Sequence, residues 1–184
     1  MYNAVTSLIQ NDHAGAPLPI LKPDELDILS HSAEQTQRYG ARLGSLLQAG
    51  DVICLSGDMG AGKTVFTTGI GQGWGAKHPV TSPTYNLIHE HRRDKDGLRL
   101  YHLDCYRLNG TMDAESIGLD DILDNKKAII VFEWPERILD VIPRRHLWLE
   151  LRVMEEHRRN FVFEGKGQRY QDLIKQFRES TFGV

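Results

Sequence analysis

The sequence predicts an α/β chain folded as three layers, α/β/α, around a mixed, largely parallel central sheet. Three observations carry this. Ala128-Ile129-Ile130-Val131-Phe132 is an unbroken apolar run, the mark of a strand buried on both faces of a sheet. Strand-like and helix-like stretches alternate along most of the chain, the order that builds parallel sheets with helices on both sides. Between the second and third of these stretches lies a glycine-rich loop that joins a β-branched run directly to a helix.

The elements follow in order. Residues 1 to about 30 carry Pro17, Pro19 and Pro23 with Gly15, a composition that reads as irregular. We therefore expect an irregular extension over 1–31 and a single domain over 32–184. Ser32 and Gln35 have the spacing of a capping box, and Tyr39, Leu43, Leu46 and Leu47 follow at helical spacing, so a helix should run to about Leu47. Asp51 to Ser56 reads as a buried strand. The helix after the glycine-rich loop should extend to about Trp74, weakened and then ended by Gly71, Gly73 and Gly75.

Beyond Pro79, the stretch Val80-Thr81-Ser82-Pro83-Thr84-Tyr85 combines hydroxyls with a backbone-fixing proline, a loop able to sense a phosphate. Asn86–His91 and Leu98–Leu103, joined by the polar turn 92–97, form a β-hairpin pattern. Asp113 to Leu123 is acidic with apolar Ile117, Leu119 and Ile122, giving one or two short surface helices. After the apolar run come a short helix near Pro135–Leu139, strands over His146–Val153 and Asn160–Glu164, and a final amphipathic helix over Gln168–Glu179.

Composition narrows the function classes. With 184 residues, 40% hydrophobic and 26% charged, the chain suits one domain with a substantial core. No apolar run approaches the ~20 residues that span a bilayer, and Met1 to Ala16 lacks the basic and apolar regions of a secretory signal, so a cytoplasmic location is expected. A formal charge of −3 disfavours direct RNA binding, although Arg144-Arg145 and Arg158-Arg159 are local basic patches. Cys54 and Cys105 fall in different strands with no further ligand at metal spacing, which reads as reduced core thiols. His89 and His91 share a strand face and read as solvated surface.

Chemistry concentrates in Gly57-Asp58-Met59-Gly60-Ala61-Gly62-Lys63-Thr64, which fits the phosphate-loop pattern G-x-x-x-x-G-K-[ST] in the strand–loop–helix context that the pattern requires. Gly60 and Gly62 permit positive φ, so backbone N–H groups can turn inward around phosphate oxygens. Lys63 adds a charge for the outer phosphates, Thr64 a hydroxyl for Mg²⁺, and the helix start its positive dipole end. The domain is thereby a P-loop NTPase fold. Such sites also need a carboxylate on the metal side and a group that orients the nucleophile. Glu133, at the end of the strongest apolar strand, reads as the first, and Asp104, closing the second hairpin strand, as the second. The alternative for each acid is that it simply caps the turn after it. Trp134 could stack on a base or a partner, or simply pack.

Guanine recognition would call for N-K-x-D, and Asn125-Lys126-Lys127-Ala128 lacks the acid, which leaves adenine. A small-metabolite kinase needs an acceptor pocket and an arginine-bearing lid; Arg92, Arg93 and Arg137 could supply arginines, but no compact lid segment stands out. A nucleotide-gated binding module differs from an ATPase only in turnover.

Four short motifs in order, Gly57 to Thr64, Ser82-Pro83-Thr84-Tyr85, Tyr101 to Leu108 and Val131-Phe132-Glu133-Trp134-Pro135, resemble those of the bacterial TsaE (YjeE) ATPase family. The resemblance runs from about Ser32 to Gly165. It implies a Mg²⁺-dependent ATPase, weak alone, that is required for N6-threonylcarbamoyladenosine in tRNAs reading codons that begin with A. It further implies that the chain does not transfer the group itself but joins a TsaB–TsaD pair, meeting tRNA only through that complex. By position, the resemblance assigns Met59, Gly60, Ala61, Gly62, Lys63 and Thr64 to the ATP phosphates and Thr64 and Glu133 to Mg²⁺. Asp104, Lys63 and Thr84 take catalytic roles, Thr84 answering to the γ-phosphate, and Thr36 and Arg158 lie around the nucleotide. Met59 stands where leucine is more usual, and Cys105 sits inside the Asp-x-Tyr-Arg motif.

Overall fold

The structure, a computed structural model, describes residues 25–83 and 87–183. The expectation for residues 1–24 lies outside the described residues. Seven strands form one sheet: β1 (Glu25–Ser30), β2 (Val52–Ser56), β3 (Ile88–Arg92), β4 (Arg99–Asp104), β5 (Ala128–Glu133), β6 (His146–Val153) and β7 (Arg159–Lys166). Their spatial order is β1-β7-β6-β2-β5-β4-β3. The four central strands β6, β2, β5 and β4 run parallel, while β3, β7 and β1 add antiparallel edges. The helices are α1 (Ala33–Leu46), α2 (Lys63–Trp74), α3 (Thr111–Ser116), α4 (Leu119–Asp124) and α5 (Gln168–Phe182), and two 3₁₀ turns at Pro135–Arg137 and Leu139–Val141 stand where a short helix was expected.

Successive strand residues point to opposite faces, and this sorts the core into two layers. Ile53, Leu55, Ile129, Val131, Phe161 and Phe163 pack with α1, α2 and α5 through Leu43, Phe66 and Phe177. Val52, Cys54, Ile130 and Phe132 face the other way, onto Leu108, Ala114 and Leu119 of the α3–α4 side. All six residues of β5 are buried, as its unbroken apolar run requires. The sheet is therefore the middle of three layers.

One expectation is corrected. Residues 25–30, read as irregular, form the edge strand β1, paired antiparallel with β7 from Glu25↔Glu164 to Ser30↔Arg159. Leu26, Ile28 and Ser30 are buried while Asp27 and Leu29 are exposed, a period-two pattern too short to stand out beside three prolines. The helix cap behaves nearly as read: Ser32 Oγ accepts from Gln35 N–H at 3.1 Å, and the Gln35 amide oxygen accepts from His31 N–H, one residue before the cap, at 2.8 Å.

The glycines of α2 have a packing role that helix propensity hid. A Cβ on Gly69 would lie 2.1 Å from the Gln37 carbonyl oxygen and one on Gly73 1.7 Å from that of Ala41; across the contact, Gly40 and Gly44 would meet Phe66 and Ile70 oxygens at 2.2 and 2.1 Å. The two helices thus touch backbone to backbone. Alanine normally stabilises a helix interior by about 1 kcal/mol over glycine, but Gly73→Ala should instead lower stability by roughly 1–3 kcal/mol because nothing soft can yield. A urea midpoint that rises would contradict this.

No helix among the described residues is long and apolar enough to cross a membrane.

Candidate functional site

Parallel strands β2, β5 and β4 end side by side, and α2 starts directly over them. Gly60 and Gly62 adopt φ of 80° and 101°, the left-handed region anticipated for them. Gly62 is the residue before the helix, so the turn delivers Lys63 and Thr64 into its first turn, next to the exposed N–H groups there.

Glu133 is the centre of the arrangement. It is 3% exposed, and three side chains converge on it. Thr64 Oγ1 donates to Oε2 at 3.1 Å, Thr67 Oγ1 lies 3.2 Å from Oε1, and His102 Nε2 lies 2.8 Å from the same Oε1. Parallel pairing puts Asp104 directly opposite Glu133 at the ends of β4 and β5, so the two acids read from the sequence do reach one place. Asp104 also caps its own turn, its Oδ1 accepting from Tyr106 N–H at 3.0 Å. For this acid the capping reading holds. A cavity of about 360 Å³ opens over these groups, lined by Met59, Gly60, Gly62, Lys63, Thr64, Val65, Asp104, Tyr106, Glu133 and Trp134.

Lys63 Nζ donates to the carbonyls of Gly57 and Asp58 at 2.6 and 2.9 Å and sits 3.6 Å from the centroid of the Trp134 ring. Its burial lowers the ammonium pKa, and Glu133, Glu136, Asp104 and Asp58 oppose that shift. Trp134 is the one non-glycine residue with positive φ among the described residues, at φ 60° and ψ 47°, and it precedes Pro135, a position that ordinarily favours extended backbone. Strain of order 1–3 kcal/mol is typical of such a conformation. In this conformation the ring lies against Lys63 Nζ and 4.9 Å from the Tyr106 ring. Trp134 is thus both packing and part of the cavity wall.

A second cavity, about 170 Å³, opens on the far side of the same loop between Ser32, Ala33, Thr36, Gly60, Gly62, Val65, Glu156, His157 and Arg159. Thr36 belongs here. It is buried, its hydroxyl 2.8 Å from that of Ser30. Arg158 does not line this cavity; it pairs with Glu155 at 3.0 Å in the turn between β6 and β7. Its neighbour Arg159 takes the place, donating to the Gly60 carbonyl at 3.3 Å. Thr84 lies outside the described residues. Sequence reading also passed over Thr67 and His102. The signal for each was spacing: Thr67 is one helical turn from Thr64, and His102 shares the strand face of Asp104.

The cysteines are free and buried, with burial pushing the Cys105 thiol up to about 12 and Cys54 higher still. Both are inert core groups. His89 and His91 lie with ring centroids 6.2 Å apart. Burial, with nearby His102, His89 and His78, pushes His91 down to about 4, so it is neutral at physiological pH. Among the described residues no group of three metal-ligating side chains gathers there or elsewhere.

A family model described as "Threonylcarbamoyl adenosine biosynthesis protein TsaE" matches residues 30–161. The tRNA threonylcarbamoyladenosine biosynthesis protein TsaE of Streptomyces coelicolor is 42% identical over 116 residues, 62% of this chain and 77% of the relative. Its namesake from Bacillus subtilis is 34% identical over 144 residues, covering 78% and 87%. The crystal structure of Bacillus subtilis YdiB superposes with a TM-score of 0.70 at 28% identity, over 85% of this chain and 95% of that one. A match spanning the loop, both strand-end acids and the intervening elements means that the chain belongs to the TsaE family of tRNA threonylcarbamoyladenosine biosynthesis proteins.

Proposed function

We propose that this chain binds and hydrolyses ATP with Mg²⁺ in support of threonylcarbamoyladenosine formation on tRNA, working with a TsaB–TsaD pair and not transferring the group itself. The observation that carries the nucleotide part is the contact of 3.1 Å between Thr64 Oγ1 and Glu133 Oε2 at the start of the loop's helix. A hydroxyl and a buried carboxylate at one point are the hard oxygen donors that suit Mg²⁺. Bound there, Mg²⁺ would neutralise charge on phosphate oxygens.

The chain's own groups divide the remaining work. Backbone N–H groups of Gly60 to Thr64 and the Lys63 ammonium hold the phosphates at the positive end of α2. Asp104, at the end of β4 beside Glu133, orients the attacking water and takes its proton. The cavity at Thr36 and Arg159 gives the nucleoside a place on the opposite side of the loop from the acids. Of the three arginines that phosphoryl transfer to a metabolite would call on, two are engaged in the β3–β4 hairpin, Arg92 with Glu90 and Arg93 with Asp96, while Arg137 lies over the Tyr106 ring at the cavity. That favours hydrolysis over the kinase alternative.

The test is to measure ATP hydrolysis by the purified chain with and without TsaB and TsaD. Slow turnover alone, rising at least about tenfold with both partners, is expected; an unchanged rate would refute the partnership. Depleting the chain in cells should likewise lower threonylcarbamoyladenosine in tRNA.

A further inference from the structure

Glu133 has two oxygens with different surroundings, and one residue decides which is which. Oε2 meets Thr64 Oγ1, the hydroxyl of the phosphate loop. Oε1 is turned into the protein, toward His102 and Thr67. The Thr67 hydroxyl carries one hydrogen and has two acceptors in reach, the Lys63 carbonyl at 3.0 Å and Glu133 Oε1 at 3.2 Å. In its shorter contact it closes the helical turn and gives Oε1 nothing. His102 is the donor without such a competitor.

His102 is fully buried on β4, two residues before Asp104 and on the same face of the sheet. An ionised carboxylate only accepts, so Nε2 carries the hydrogen toward it. The other ring nitrogen, Nδ1, is buried without a partner among the described residues. This asymmetry is informative. A histidine serving only to fill space would gain by satisfying both nitrogens, whereas here a lone pair is left unpaired while the ring meets Oε1 at 2.8 Å.

We propose that His102 is a positioning residue for the cation site: its Nε2–H pins Glu133 Oε1 inside the protein and thereby keeps Oε2 presented beside Thr64 Oγ1. Without that donor, rotation about the terminal torsion makes the two oxygens equivalent, and the carboxylate can turn away from Thr64. Partners that orient a ligating group in this way are typically worth 10–100-fold in metal affinity. The inference rests on the reading of Glu133 as the Mg²⁺-side acid.

The experiment compares ADP affinity in EDTA and in Mg²⁺, and Mn²⁺ binding to the ADP complex by electron paramagnetic resonance, for the full chain and its variants. His102→Leu should leave affinity in EDTA within about twofold and weaken Mn²⁺ binding by roughly 10–100-fold. His102→Gln, whose amide nitrogen can reach the place of Nε2, should restore most of it. Unweakened Mn²⁺ binding in His102→Leu, or no rescue by glutamine, would overturn the proposal. Should the leucine variant fail to fold, ¹⁵N resonances of the unsubstituted chain decide: a protonated Nε2 with bare Nδ1 supports the proposal, and the opposite tautomer defeats it. Glu133→Gln separates the two claims. If that variant keeps the full cation gain, the metal-side reading itself is wrong; if it loses the gain while His102→Leu keeps it, only the role of His102 falls.

Discussion

Replacing Lys63 with alanine should weaken ATP binding by at least roughly 100-fold, about 3 kcal/mol, as measured by calorimetry with the intact chain. The magnitude comes from the loss of a charged donor whose side chain is largely buried. Lys63 is 5% exposed, and each hydrogen bond to a charged group of this kind contributes about 1.5–3 kcal/mol. Burial lowers the lysine pKa, and four acidic side chains oppose that shift without cancelling it. Binding and folding should separate in this variant, because alanine is a good helix former at the first position of α2. The variant does lose the ties to the Gly57 and Asp58 carbonyls, so the loop will be looser without ligand. Affinity within threefold of the unsubstituted chain would remove the phosphate-binding assignment altogether.

Glu133→Ala should behave differently. Nucleotide affinity in EDTA should persist within a few-fold, and the additional affinity conferred by Mg²⁺ should disappear. The carboxylate does not face the phosphate oxygens as a donor; two anions do not attract, and its only route to ligand affinity is through a cation. Its removal also leaves Thr64 Oγ1 and His102 Nε2 without their acceptor, at a stability cost of about 1–3 kcal/mol for each group that stays buried and unpaired. A thermal melt should therefore fall while EDTA binding holds. Retention of the whole Mg²⁺ gain would transfer the metal role to Asp104, which stands opposite in the sheet register.

The parts of the site that were legible in the sequence are those whose chemistry is written in consecutive residues. The loop from Gly57 to Thr64 could be read because its spacing is set by backbone turns, and the acids at 104 and 133 because each ends a strand pattern. Parallel pairing then brought them together without further information. What stayed hidden depends on pairs distant in the chain. The strand β1 is defined by its partner β7, more than a hundred residues later, and neighbouring prolines mask its short alternation. Arg158 and Arg159 are indistinguishable by composition; only the pairing of β7 with β1 and β6 decides that Arg159 turns to the loop while Arg158 meets Glu155. His102 sat inside a recognised motif, yet nothing local says that its ring points at a carboxylate thirty-one residues away. The glycines of α2 looked like weakness because helix propensity counts a residue alone and not what lies against it.

Those glycines bear on how the chain can change over generations. In an ordinary core a substitution that adds bulk can be answered by trimming the side chain it strikes. Between α1 and α2 the atoms struck would be carbonyl oxygens, which no substitution removes. Only a shift of a whole helix could answer, and α2 carries Lys63 and Thr64 at its tip. The spacing of two helices and the geometry of the loop that leads into α2 are therefore inherited as a single trait, and variation at the helix contact is tied to the loop's own.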